Sequence, residues 1–170
     1  MSANLQVFAI FESSVEGVSK EVSGSSIDQS IGFLLSATGR KVSQALTVTL
    51  QPYGVTSEQF AVLAVLLESV SDSAGITQKE LSLRSQKDPT NVTRILNQLQ
   101  RKGLIRRQEN AEDRRSFVIH LTDKGKQLAA ALVPIEEYVV RSVCNGLTDQ
   151  EIIQLRAALT RINQNMTENM

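Results

Sequence analysis

One cysteine, one histidine and no tryptophan occur in this chain, and its formal net charge is zero. Each scarcity excludes something. Cys144 has no partner for an intramolecular disulfide, which suits a reducing compartment. His120 has no second histidine and no carboxylates at metal-ligand spacing, so no metal site is expected and it reads as structural. Seven aromatic residues (five Phe, two Tyr) are few for the stacking platforms that single-stranded nucleic acid needs. No stretch approaches the roughly 18 apolar residues of a membrane span. Glu12 interrupts the apolar N-terminal residues, so no signal peptide is read there and a cytoplasmic protein is expected. Neither a glycine-rich phosphate loop nor a nucleophile triad is present, so no cofactor and no catalysis are expected.

The zero net charge hides a segregation. Between Lys79 and Lys126 there are 12 Lys or Arg against 6 Asp or Glu, while the rest of the chain holds 6 basic and 12 acidic residues. Attraction for phosphate depends on the local patch, so this segment carries the basic surface.

Hydrophobic spacing organises the chain. Phe8, Phe11, Val15, Val18 and Val22 fit one face of a helix, so residues 1–25 form either an extra docking helix or a weakly ordered arm. Gly24-Ser25-Ser26 breaks this segment. Ser26 with Gln29 reads as a capping box for a helix running to about Leu50, which Pro52 and Gly54 close. Thr56 with Gln59 is a second box, opening a helix to about Ser69. Thr77 with Glu80 is a third, opening a helix of about eight residues with Leu81 and Leu83 turned inward. Asp88 as N-cap and Pro89 at the first helical position start the next helix. Its stripe of Val92, Ile95, Leu96 and Leu99 runs towards Gly103. Two strands are read at 104–108 and 117–121, joined by a polar tip. A helix kinked at Pro134 follows Thr122, and Thr148 with Glu151 opens a last one.

A short capped helix, a turn, a second helix with a polar start and a two-stranded hairpin make a winged helix-turn-helix. Asn91-Val92-Thr93-Arg94, Lys102-Gly103-Leu104-Ile105, Asp113-Arg114-Arg115 and Leu121-Thr122-Asp123-Lys124-Gly125 resemble, in order and spacing, the multiple-antibiotic-resistance regulator (MarR) family. The resemblance covers about residues 27 to 165. It implies a mainly α fold with a small β-hairpin wing. Residues 26–50 and 122–170 would form a helical dimerisation lobe, and 51–121 the winged helix-turn-helix. It further implies a homodimeric regulator, expected to repress, on a palindromic double-stranded operator. Small phenolic or other aromatic effectors would release it by binding between the dimerisation helices and the DNA-binding lobe.

The N-terminal half of a recognition helix enters the major groove. Here that half offers Thr90, Asn91 and Arg94 to base edges and Thr93 to a phosphate. Ser82, Arg84, Gln86 and Lys87 near the turn are candidate phosphate contacts. The wing presents Arg114 or Arg115 to the minor groove, and by family analogy Asp113 pairs with one of them. Ser30, Arg40, Tyr53 and Arg106 are residue types that could line an effector cleft, with nothing in the sequence to select among them. Two other readings stay open: a winged-helix interaction module without DNA binding, and a redox sensor using Cys144.

Overall fold

The computed structural model describes residues 26–69, 75–110, 113 and 116–168. The apolar stripe expected over residues 8–22 lies outside them. Five helices carry most of the fold up to the wing and beyond it: α1 (Ile31–Leu50), α2 (Ser57–Glu68), α3 (Gln78–Ser85), α4 (Pro89–Arg101) and α5 (Asp123–Val143). The last element among the described residues is α6 (Asp149–Glu168). Strands β1 (Ile76–Thr77), β2 (Ile105–Glu109) and β3 (Phe117–Leu121) form one antiparallel sheet in the order β1-β3-β2. The chain divides into two compact units between Lys41 and Val42.

Several local expectations need correcting. Ser26 makes no side-chain cap; a single 3-10 turn at Ile27–Gln29 precedes the helix, which starts at Ile31. Thr77 Oγ1 accepts from the Glu80 backbone N–H at 3.2 Å, which is half of the expected box. Leu83 is 68% exposed rather than turned inward, because α3 is short and its inner face is filled by Leu81. Strand β1 was not legible: two residues are too few for a period of two to register. The boxes at Thr56/Gln59 and Thr148/Glu151 are both formed.

The core of the second unit gathers the apolar stripes of successive elements. Leu63 of α2, Ile76 of β1, Leu81 of α3, Leu96 and Leu99 of α4 and Leu132 of α5 are fully buried together. Burial of each such side chain contributes about 1.5–3 kcal/mol. A polar strap ties the start of α2 to the end of α4. Gln59, itself buried, donates through Nε2 to Gln98 Oε1 at 2.8 Å. Lys102 Nζ donates to Gln59 Oε1 at 2.7 Å and to the Gly54 carbonyl at 2.6 Å.

The start of α5 clasps the base of the wing. Thr122 donates from its backbone N–H to the Leu104 carbonyl at 3.0 Å and from Oγ1 to the Gly103 carbonyl at 2.7 Å. Its hydroxyl also accepts from the Gly125 N–H at 3.1 Å, capping α5. Gly125 passes so close to this strand that a Cβ there would lie 2.0 Å from the Leu104 carbonyl oxygen.

His120 lies on the central strand, β3, against Gly75. A Cβ at Gly75 would lie 2.5 Å from the ring, and the φ of +75° at that residue is itself one that glycine accepts. Among the described residues, His120 Nε2 is buried with no hydrogen-bond partner. Burial, and then the charges of Arg106 and Lys126, hold its pKa below the ordinary imidazole value. A base with a depressed folded-state pKa binds its proton more readily when unfolded. Stability is therefore full above about pH 6.5 and falls as pH drops from there through the folded-state pKa. Denaturant midpoints between pH 7.5 and 5 are expected to decline in this protein and to decline less in His120→Gln. Parallel declines in the two proteins would assign the acid sensitivity elsewhere.

Candidate nucleic-acid interface

Helices α3 and α4 and the turn between them form the helix-turn-helix. Gln86 ends α3 in the left-handed region, at φ 52° and ψ 42°, and its N–H returns to the Leu83 carbonyl at 3.2 Å. A non-glycine residue is uncommon there, and its presence keeps a polar side chain at the turn. Ser82 Oγ donates to the Lys87 carbonyl at 2.5 Å, which fastens the turn to α3. Asp88 then caps α4, its Oδ1 accepting from the Asn91 N–H at 2.8 Å, with Pro89 at the first position.

This start orients α4 with Val92, Ile95, Leu96 and Leu99 wholly inward. The opposite face presents Thr90, Thr93, Arg94 and Asn97, all exposed, around a shallow groove that begins at Pro89. Their spacing of three, one and three residues places them on one face of a 3.6-residue helix. Asn97 was missed from the sequence although this period contained the signal. Thr93 is already engaged: its hydroxyl donates to the Pro89 carbonyl at 2.8 Å and accepts from Gln78 Nε2 at 2.7 Å.

Asn91 and Arg94 meet a third residue that the sequence reading did not select. Glu58, in the first turn of α2, accepts from Arg94 Nη2 at 2.9 Å and from Asn91 Nδ2 at 3.3 Å. Arg94 Nη2 also donates to Asn91 Oδ1 at 2.6 Å, which closes the ring. Burial disfavours the charge on Glu58, but the hydrogen bonds from Asn91 and Arg94 and the charges of Lys87 and Arg94 outweigh it. The carboxyl stays below its ordinary range. Only tertiary structure could have found Glu58, since 33 residues separate it from Asn91.

The candidate phosphate contacts divide by environment. Gln86 is exposed and Lys87 half-buried at the turn. Ser82 is buried within it. Arg84 points back to the end of α2, donating to Ser69 Oγ at 2.7 Å and pairing with Glu68 at 3.1 Å.

The wing is the β2–β3 hairpin, with Arg107 opposite Ile119 and Glu109 opposite Phe117. Its tip is closed by the Asn110 N–H on the Ser116 carbonyl at 3.1 Å and the Ser116 N–H on the Asp113 carbonyl at 2.9 Å. Asp113 is exposed there; Arg114 and Arg115 lie outside the described residues.

A cleft of about 810 Å³ opens between α3, the turn and the end of α6, lined by Lys79, Leu83, Gln86, Lys87, Asn163 and Met166 among others. Neither Tyr53 nor Arg106 lines it; Arg106 instead donates to Gln108 Oε1 at 2.7 Å along β2. Arg40 donates to Ser36 Oγ at 2.8 Å on α1, and Ser30 closes the 3-10 turn before that helix. Cys144 is half-buried at the C-cap of α5. Among the described residues no group of His, Cys, Asp and Glu could hold a metal ion, and no helix is long and apolar enough to cross a membrane.

Comparison with known proteins places this geometry. A model described as the MarR family matches residues 53–116, from the turn before α2 to the wing tip. The transcriptional repressor MprA of Escherichia coli K12 is 31% identical over 119 residues, 68% of this chain and 66% of that protein. The HTH-type transcriptional regulator YkoM of Bacillus subtilis is 30% identical over 109 residues, 64% of this chain and 68% of that protein. The crystal structure of the Staphylococcus aureus MepR–DNA complex superposes with a TM-score of 0.73 at 27% identity, covering 79% of this chain and 96% of that one.

Proposed function

This chain belongs to the MarR family and is a transcription regulator, not an enzyme; from that premise we propose that it is a cytoplasmic homodimeric repressor reading a palindromic double-stranded operator. The observation that carries this reading is α4, whose apolar face is wholly buried while Thr90, Thr93, Arg94 and Asn97 line its outer face. Thr90, Asn91 and Arg94 take the base edges, and Thr93, Gln86 and Lys87 the phosphates. Ser82 and Arg84 shape and brace the helix-turn-helix. Asp113 orders the wing tip, and Arg114 or Arg115 enters the minor groove. MprA of Escherichia coli and MdtR of Bacillus subtilis are named as repressors, and MepR was crystallised on DNA.

The dimer reading is supported by apolar side chains that a single chain leaves in water. Ile31 and Leu34 of α1, Tyr138 and Val143 of α5, and Ile153 and Leu155 of α6 are all exposed. Such faces mark interaction surfaces, and a second copy covers them. The two recognition helices then enter successive major grooves, about 34–36 Å apart.

An effector fits the cleft beside the turn. Leu83 and Met166 offer apolar surface there, and Lys79 and Lys87 offer positive charge, which suits an aromatic anion. It acts only through a difference in affinity between the DNA-competent dimer and a differently spaced one.

Footprinting on duplexes enriched from a random library tests the reading. Two protected half-sites one helical turn apart are expected. The absence of any protected sequence would favour a winged-helix interaction module without DNA binding.

A further inference from the structure

We infer that Glu58 is an internal competitor for the DNA-reading side chains Asn91 and Arg94, and that Arg94 makes its two-donor contact to a base by releasing this carboxylate. The inference rests on the proposal that these two residues contact the operator.

The hydrogen-bond accounting leads there. Arg94 uses Nη2 twice, towards Glu58 Oε2 and towards Asn91 Oδ1. Both two-donor edges of a guanidinium include a hydrogen on this nitrogen. A bidentate contact to guanine O6 and N7 therefore requires Arg94 to give up one of the two bonds. Asn91 joins the same ring through one Nδ2 hydrogen on Glu58 Oε1 and one Oδ1 lone pair facing Arg94, and it keeps a second hydrogen and a second lone pair. Of the three acceptor oxygens in the ring, Glu58 supplies two and Asn91 the third.

The ring is also exchangeable. The side chains of Arg94 and Glu58 are 54% and 42% exposed, so the pair sits at the solvent boundary rather than in the core. An exposed pair is weak enough for a good base edge to displace, yet strong enough to hold the arginine when only poor acceptors are offered. On random duplex Arg94 stays with Glu58. On the operator it transfers to the base, and the affinity is lower by what the pair was worth.

The test is equilibrium binding by fluorescence anisotropy, using full-length protein. The probes are a duplex enriched from a random library and a scrambled duplex of the same composition. Glu58→Gln keeps the shape of the side chain and removes its charge. It is expected to tighten the enriched duplex by about three- to fivefold. The gain on scrambled duplex is no larger. In an Arg94→Ala background the gain falls below about twofold, because the effect runs through the arginine and not through general repulsion of phosphate. Glu58→Ala should move in the same direction, which guards against a folding artefact of one substitution.

Unchanged or weaker operator binding by Glu58→Gln would overturn the inference; weaker binding would make Glu58 a buttress that aims Arg94. An equal gain in the Arg94→Ala background would reduce it to bulk electrostatics. If Arg94→Ala alone leaves discrimination between the two duplexes intact, the base-reading assignment fails and the inference fails with it. If Arg94→Ala abolishes discrimination while Glu58→Gln changes nothing, only the inference fails.

Discussion

Arg94→Ala lowers the ratio of operator to random-sequence affinity by about ten- to a hundredfold, the worth of one bidentate base contact. The loss is expected in discrimination because Arg94 lies on the outer face of α4 and the inner face of that helix does not depend on it. The melting temperature should barely change, since the guanidinium is half in water and its one ion pair is of the exposed kind. Lys87→Ala is the control. A phosphate contact contributes to every sequence alike, so both duplexes weaken together and the salt slope falls by about one. Competition assays with the two proteins on both duplexes separate the roles. Equal losses on both duplexes for Arg94→Ala would move that residue to the phosphates.

Gly125→Ala destabilises the protein by at least about 2 kcal/mol, although alanine is the better helix former. The added Cβ meets the Leu104 backbone oxygen at 2.0 Å, and neither partner can yield cheaply. Gly125 sits in the capped first turn of α5 and its N–H is held by Thr122. Leu104 is held from two sides, by the Thr122 N–H at its carbonyl and by its own N–H to the Leu99 carbonyl at 3.0 Å. Relief of the clash must therefore displace either the wing base or α5. Gly39→Ala provides the contrast within the same chain. That glycine lies inside α1 with nothing within 4 Å of its Cβ position, so alanine there stabilises by about 0.5–1 kcal/mol. Urea denaturation of the two variants should shift in opposite directions. A neutral Gly125→Ala would show that α5 and the wing are not locked together.

The lock has a functional reading. Thr122 bonds both to the segment that follows α4 and to the helix expected to belong to the dimer. Lys124 Nζ adds a bond to the Lys102 carbonyl at 3.1 Å. The lock predicts that α5 and the wing base move together as one body when the dimer geometry changes.

How much of this was legible in the sequence depends on the range of the interactions. Caps were legible because their geometry is local: Asp88 and Thr122 each bind a backbone N–H three residues on. The recognition helix was legible because burial of Val92, Ile95, Leu96 and Leu99 repeats at the helical period. Leu83 was misread because residues two apart lie on nearly opposite sides of a helix, so with Leu81 buried Leu83 faces outward. The Ser26 cap failed because the chain first makes a 3-10 turn, a competitor whose i→i+3 bonds any capping sequence also supports. Glu58 was invisible for a different reason. Its hydrogen-bond partners lie 33 and 36 positions away, and on its own it reads as an ordinary acid in a first helical turn. The clash distance at Gly125 belongs to the same class, since the motifs holding Gly125 and Leu104 were both visible but their close approach was not.

The central claim is sequence-specific reading of double-stranded DNA by α4 and the wing. The most direct test is the affinity of the full-length protein for an enriched duplex and for its scramble, measured across a salt series. The account predicts a preference of at least about a thousandfold for the enriched duplex, with log affinity falling steeply and linearly against log salt on both. Weak binding of equal strength on the two duplexes, at every salt concentration, would contradict it.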